Sequence, residues 1–444
     1  MSIIKLSAAP MSESEREDDM QKYRLFDRSV EPVDHDFEML LSRAHGERTR
    51  VMCECRSDCD LALYVTKRAG GYVLARWPGS GAAHLPGCDH YDAPDDLTGI
   101  GQVRGNAVCE DDAGDVHLKL AFPLKRGAAR AAPAAITNEK PALKHNGRKL
   151  SMRGLLHILW HRAELTHWVP RMAGKRNWYI VRRALLGAVE NCRAKGASLG
   201  PRVFVPETFR SDDVAGIAGR RHAALTPARV PDTLMIVIGE VKSIGPSRYG
   251  EVINLRHLAD WPLYMDTDTA ARFHRRFALE TDLWRSSTAE DGHLIIAASF
   301  ALRPSGAAEM FDIALMPVTR EWLPYESLDE RELIRAAVAG QRKFVKGLRV
   351  DLDTDRTIAS ITLTDVVPQA VAVHLAGDDN ADGGVHGAFL ATAGVDHLAW
   401  RPGDQLPKNA PVLPQSDTKV ATAADIVRLP PLFDFRRTPE ASVV

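Results

Sequence analysis

The chain has 444 residues, with 57 Lys and Arg against 58 Asp and Glu, a formal net charge of −1. Hydrophobic residues make up 45% and charged residues 26%, with 32 Gly and 26 Pro, values that exclude a collagen-like, coiled-coil or wholly disordered chain. At about 150 residues per domain the length predicts about three domains. A membrane-spanning helix needs about 20 consecutive apolar residues. The longest comparable run, Leu294 to Leu302, is nine positions long and contains Ser299. The N-terminus lacks the sustained apolar core of a secretory signal. Six cysteines are too few for a disulfide scaffold of this length. These features predict a cytoplasmic, reduced protein with no membrane partner.

In chain order, residues 1–25 read as an acidic, polar tail. Residues 26–124 read as a compact β region of zinc-ribbon type. An Ala-rich stretch with two prolines lies in a basic linker, 125–148. A helical segment follows over 149–228. Its first helix starts at Ser151, a favourable N-cap, and runs to about Leu165. Its second runs from about Asn177 to Ala194, with Ile180, Ala184, Leu185, Ala188, Val189 and Cys192 on one face.

From 229 to 376 the texture becomes paired strands. TLMIVIGEVKSI and EVINLRHL flank GPSRYG as a hairpin. A helix is expected around Thr269–Trp284. HLIIAASFAL and MFDIALMPVT form a second hairpin. Ser327 and Glu330 make a capping box for a helix to about Leu348, with Leu333, Ile334, Phe344, Val345 and Leu348 on its buried face. TIASITLTDV and QAVAVHLA form a third hairpin. The order ββαββαββ predicts an α+β fold with antiparallel pairing. Residues 377–444 read as a partly disordered tail.

Four of the six cysteines lie between Cys53 and Cys88, a clustering that points to metal rather than disulfides. Cys53 and Cys55 are two apart, so in an extended segment both thiols leave the same face. LALYVTKRAGGYVLARW then folds back as a hairpin around Gly70 and Gly71, returning His84 and Cys88 to the first pair. Cys53, Cys55, His84 and Cys88 are therefore the expected ligands of a structural tetrahedral Zn²⁺. Cys59 and His90 stand nearby as alternative fourth ligands.

Between Ala121 and Arg183 there are fourteen Lys and Arg against two acids, Glu139 and Glu164. Such an asymmetry in a near-neutral protein points to an anionic partner. Trp160, Trp168, Trp178 and Tyr179 are interleaved and could stack on bases. Lys175, Arg176, Arg182 and Arg183, at the start of the second helix, are the expected nucleic-acid contacts. A solvated cationic helix face would look the same. No helix-turn-helix pattern supports sequence-specific reading.

Pro231-Asp232, seven residues and then Glu240-Val241-Lys242 resembles the pattern of metal-dependent nucleases. Asp232 and Glu240 would hold Mg²⁺ and Lys242 would help to activate water. The competing reading is an ion pair on a half-exposed strand. There is no phosphate-binding loop, no dinucleotide fingerprint and no nucleophile elbow. His157 and His161 are four apart on the first helix without the carboxylate of a zinc-peptidase motif.

Cys53-x-Cys55, His84-x3-Cys88, MAGKRNW (172–178), VPETF (205–209), GEVK (239–242) and FVKGLR (344–349) together resemble an uncharacterised bacterial family, domain-of-unknown-function family 1173. The resemblance runs from about Val51 to Leu375. It implies a cysteine-bearing N-terminal region, no assigned activity and frequent occurrence on mobile elements. Three readings follow. The first is a cytoplasmic zinc protein that binds nucleic acid without sequence preference. The second is a metal-dependent nuclease using Asp232, Glu240 and Lys242. The third is a zinc-stabilised protein-interaction module.

Overall fold

The computed structural model describes residues 21–68, 71–77, 79–111, 115–126, 148–248, 250–287, 292–351, 358–366, 369–376 and 395–408. Residues 127–147 of the expected linker 125–148, the N-terminal tail to residue 20, and 377–394 and 409–444 of the expected C-terminal tail lie outside these residues, whereas Asp396–Trp400 of that tail is a strand. The protein is α+β. The described residues form two compact units, 21–92 and 93–408.

The first unit holds β1 (Tyr23–Leu25), β2 (Arg28–Val30), α1 (Phe37–Glu47), β3 (Val51–Cys53), β4 (Leu61–Arg68) and β5 (Gly71–Arg76). They make an antiparallel sheet in the order β2-β1-β3-β4-β5. Alternation puts Val51, Cys53, Leu61 and Leu63 on the face that meets Phe37, Leu41 and Ala44 of α1. The expected hairpin is β4–β5, with Leu63 opposite Arg76 and Arg68 opposite Gly71.

The second unit begins with α2 (Asp95–Thr98), β6 (Val108–Glu110), β7 (Val116–Leu118), α3 (Met152–Arg162), β8 (His167–Trp168), α4 (Trp178–Glu190), β9 (Cys192–Ala194) and β10 (Ala197–Ser198). Ser151 caps α3 by accepting from the Gly154 N–H at 3.1 Å, and Asn177 caps α4 by accepting from the Ile180 N–H at 3.1 Å. α4 stops at Glu190, four residues short of the sequence expectation. Cys192 accordingly sits in a strand, buried, and not on a helix.

Next come β11 (Val203–Phe204), α5 (Val214–Ala224), β12 (Met235–Ser247), β13 (Gly250–Leu255), β14 (Leu258–Asp266), α6 (Thr267–Arg276), α7 (Ala278–Arg285), β15 (Gly292–Leu302) and β16 (Ala308–Thr319). β12 bends and serves two neighbours. Met235–Glu240 pairs with β15, and Val241–Ser247 pairs with β13 across a bulge. β13 pairs with β14, β14 runs parallel to β16, and β16 pairs with β15. The sheet therefore closes on itself. Numbered within the barrel, the strands follow the order 1-2-3-5-4-1, with helices between the third and fourth. That is the topology of the five-stranded barrel known as the OB type. Val237, Val241, Ile253, Leu255, Leu263, Met265, Ile296, Phe300, Met310 and Leu315 fill its interior, with Phe273 and Phe277 from the helices. On the outside, Ile236, Ile238, Ile295, Ala297, Ala314 and Met316 pack with Leu155, Leu159, Val181 and Leu185 of α3 and α4.

The chain ends in α8 (Leu328–Ala339), β17 (Phe344–Lys346), β18 (Ile361–Leu363), β19 (Val371–Leu375) and β20 (Asp396–Trp400), in a sheet ordered β20-β19-β18-β17-β8. α8 is capped as expected, with Ser327 accepting from the Glu330 N–H at 3.1 Å. It ends at Ala339, so Phe344 and Val345 lie on a strand paired with β8 and β18. The three expected hairpins are present as β12–β13, β15–β16 and β18–β19. Two strands that the ββαββαββ reading lacks, β14 and β17, join the first two hairpins into a barrel and attach the third to β8.

Candidate functional site

Cys53 closes β3 and is buried, because it alternates with Met52 onto the core face. Cys55 follows two residues on. The β4–β5 hairpin leads into a short helical turn at Gly81–Ala83, and His84 and Cys88 follow it. The four ligand atoms lie within 4.8 Å of one another. Cys53 Sγ is 3.7 Å from Cys88 Sγ, and His84 Nδ1 is 3.5 Å from Cys55 Sγ and 3.6 Å from Cys88 Sγ. Three soft sulfurs and one imidazole in such a group can hold a metal ion.

The surroundings support the ligands. Gln21 Nε2 donates to Cys53 Sγ at 3.1 Å and the His90 N–H to Cys88 Sγ at 3.3 Å. Such second contacts orient metal-binding sulfurs. Gly81 fits where a Cβ would come within 2.5 Å of Asp92 Cβ, and Asp92 is held by Arg76 at 2.6 Å. Without a cation the three thiols cannot all ionise. Hydrogen bonds from Cys53 and Cys88 hold the Cys55 thiol far below its ordinary range, while the bond to Cys55 pushes Cys53 up to about 11. Of the alternative ligands, Cys59 is exposed and outside the group. His90 is buried with its Nε2 at 2.9 Å from the Tyr23 hydroxyl, also outside it.

The expected cationic patch on α4 is not assembled. Lys175 is exposed. Arg176 is turned inward: Nη1 donates to the Leu165 carbonyl at 3.0 Å and the Glu321 carbonyl at 3.3 Å, and Nη2 to the His167 carbonyl. Burial lowers its pKa to about 10. Arg182 Nε donates to the Val205 carbonyl at 3.0 Å, and Arg183 is half-buried. Buried carbonyls need donors, and these arginines supply them. Elsewhere in the basic segment, Arg153 pairs with Glu326 at 3.1 Å and Arg162 with Glu110 at 3.8 Å.

The nuclease arrangement is not brought together either. Asp232 precedes β12 in a left-handed conformation and is exposed. Glu240 ends the half of β12 that pairs with β15. The five residue steps from Met235 to Glu240 alone span roughly 16 Å of strand, too far for both carboxylates to share one ion. Glu240 is buried, its side chain 2% exposed, and accepts from Arg256 Nε at 2.7 Å and His293 Nδ1 at 2.8 Å. Lys242 lies beyond it at the bulge and is exposed.

Sequence reasoning missed this carboxylate's neighbourhood. His257 Nε2 stands 3.7 Å from Glu240 and its ring stacks on Trp178. The His293 ring stacks on Trp322 at 4.1 Å, and the two indoles are 5.8 Å apart. Trp178 also donates to the Pro206 carbonyl at 2.8 Å. MAGKRNW, VPETF and GEVK thus meet in one place. No local spacing announces it, because His293 lies 53 residues from its carboxylate.

No curated protein and no solved structure matches the chain. A family described as "Protein of unknown function (DUF1173)" matches residues 23–403, taking in the cysteine cluster, the barrel and the terminal sheet, and the chain belongs to that family.

Proposed function

We propose that the protein is a cytoplasmic, zinc-stabilised protein that binds nucleic acid without strong sequence preference. For zinc, the supporting observation is the shape of the Cys53, Cys55, His84 and Cys88 group. Bonds of about 2.3 Å to sulfur and 2.05 Å to nitrogen in a tetrahedron give S···S edges of about 3.8 Å and S···N edges of about 3.6 Å. The separations of 3.7, 3.5 and 3.6 Å match these edges. Four protein ligands leave no open coordination position, so the ion would be structural. Purified protein should carry about one zinc per chain, lost in Cys88→Ser. A folded, metal-free wild type would refute the zinc assignment.

For nucleic acid, the observation that carries the reading is the barrel. Barrels of this topology bind oligonucleotides on the outer face of the second and third strands, here β13 and β14. The helices α3 and α4 pack on the outer residues of β12, β15 and β16, and not on this face among the described residues. The test is fluorescence anisotropy of labelled single- and double-stranded DNA and RNA at several salt concentrations. Binding that weakens steeply with salt would support phosphate contacts. No binding at low salt would remove the reading and leave the protein-interaction module in its place.

A further inference from the structure

We propose that His293, oriented by Glu240, is the general base of a site that cleaves single-stranded RNA, with the substrate's own 2′-hydroxyl as nucleophile and Arg256 on the scissile phosphate. The base is read from its own geometry. The choice of RNA rests on the nucleic-acid reading above.

Register brings the two residues together. Glu240 stands opposite Ile295, and His293 lies two residues earlier in β15, on the same face. Arg256 can only donate, so Glu240 Oε1, 2.7 Å from its Nε, is an acceptor. His293 Nδ1 lies 2.8 Å from the same oxygen and is the nitrogen that carries a proton. In the neutral ring Nε2 then keeps the lone pair. Among the described residues nothing hydrogen-bonds to Nε2, and the His293 side chain is 18% exposed. Stacking on Trp322, 4.1 Å away and tilted by 12°, fixes the ring plane. A buried carboxylate, an oriented imidazole and an open outer nitrogen are the parts of a general base.

Arg256 sets the charge of the substrate. Its backbone N–H donates to the Glu240 carbonyl at 2.8 Å and its Nε to the Glu240 carboxylate. The two Nη groups have no partner among the described residues, and the side chain is 44% exposed. Such a fork matches two phosphate oxygens. His257 adds no second cation here, because burial lowers its pKa where it stacks on Trp178. Exposed rings are close along the chain. Tyr179 follows Trp178, and Phe209 lies three residues past Pro206, whose carbonyl accepts from the Trp178 indole. Rings of this kind stack on the bases of a single strand.

No Ser, Thr or Cys hydrogen-bonds to His293 among the described residues, so the protein places no nucleophile against its base. RNA brings one in its 2′-hydroxyl. His293 Nε2 takes the hydroxyl proton, the 2′-oxygen bonds to phosphorus, and the bond to the 5′-oxygen breaks with its electron pair. The leaving oxygen takes a proton from water, and the hydroxide so formed takes the proton back from His293. Arg256 offsets the charge that gathers on the phosphate oxygens. The products are a 2′,3′-cyclic phosphate and a 5′-hydroxyl end.

The experiment gives the full-length protein labelled single strands of RNA, 2′-O-methyl RNA and DNA of one sequence. Only RNA should be cut, to the cyclic phosphate. His293→Gln should lose about a hundredfold or more in kcat. Glu240→Gln should lower kcat with KM little changed. Nitrogen NMR of the wild type, with the His293 signals assigned by their loss in His293→Gln, reads the tautomer without any turnover. It should show the proton on Nδ1, and Glu240→Gln should release it to Nε2. A wild-type proton on Nε2, or His293→Gln cutting at the wild-type rate, would overturn the base. Cleavage of DNA, or 5′-phosphate products, would overturn the 2′-hydroxyl as nucleophile. RNA bound and left whole would overturn the activity and leave the nucleic-acid reading standing. No binding of any nucleic acid at low salt would overturn both.

Discussion

Arg176 shows how a cation that looks like a phosphate ligand can be consumed by the fold. Its guanidinium fork spans the carbonyls of Leu165, His167 and Glu321, and it lies over the Trp168 ring at 5.3 Å. A lysine ammonium lacks the planar fork. Arg176→Lys should therefore cost about 2 kcal/mol in urea unfolding, through carbonyls left unpaired. His157 makes a pH prediction. Burial holds its pKa down to about 4, and its Nδ1 sits 3.2 Å from the Arg349 carbonyl. The unfolded chain takes up that proton near its ordinary value, the native chain only near 4. Stability from this group is thus complete above about 6.5 and lost as pH falls toward 4, by roughly 3 kcal/mol. Stability flat between pH 7 and 4, or His157→Gln with an unchanged pH profile, would contradict this. The grouping of Cys53, Cys55, His84 and Cys88 was legible because their types and spacing are local. The partner of Arg176 was not, because the Glu321 carbonyl is 145 residues away.

Among the elements, hairpins and caps were legible and closure was not. Ser151, Asn177 and Ser327 each act as the cap that their residue type announces. Two misreadings have physical causes. Phe344, Val345 and Leu348 extend the apolar spacing of α8, yet Gly340 and the left-handed Gln341 (φ 53°) end the helix and turn the chain into β17. β14 contains Pro262, which argues against a strand because proline donates no ladder hydrogen bond. It is tolerated because the β13–β14 pairing is irregular there, passing from Leu255–Leu258 to Ile253–Leu263. Without β14 the barrel cannot be seen as a barrel. The start of α3 also has a distant support. The Asp351 carboxylate accepts from the Ser151 N–H at 2.8 Å and from its hydroxyl. Asp351→Ala should cost about 1–2 kcal/mol, seen as a lower denaturation midpoint. Gly154→Ala should cost more, since its Cβ would lie 2.0 Å from Asp351 Oδ2; a neutral Gly154→Ala would count against this packing.

At the scale of the whole chain, the two units hold separate cores. Chelation should then act locally. Hydrogen exchange after metal removal should lose protection in β3, β4 and β5 while the barrel strands β12–β16 keep theirs. Equal loss in both would refute a metal role confined to residues 21–92. The +12 excess of the basic segment was legible, but its use was not, because its cations answer to carbonyls and acids far along the chain. The same long reach bears on biosynthesis. The described residues of the first unit, 21–92, are one contiguous stretch, so this part can form early in synthesis. The second cannot: the start of α3 waits for Asp351, 200 residues later, a delay of roughly 10–40 s at 5–20 residues per second. For most of that interval, until β16 has been made, Leu155 and Leu159 lack the β15 and β16 residues that cover them. The nascent chain should therefore need a holding chaperone until β16 emerges.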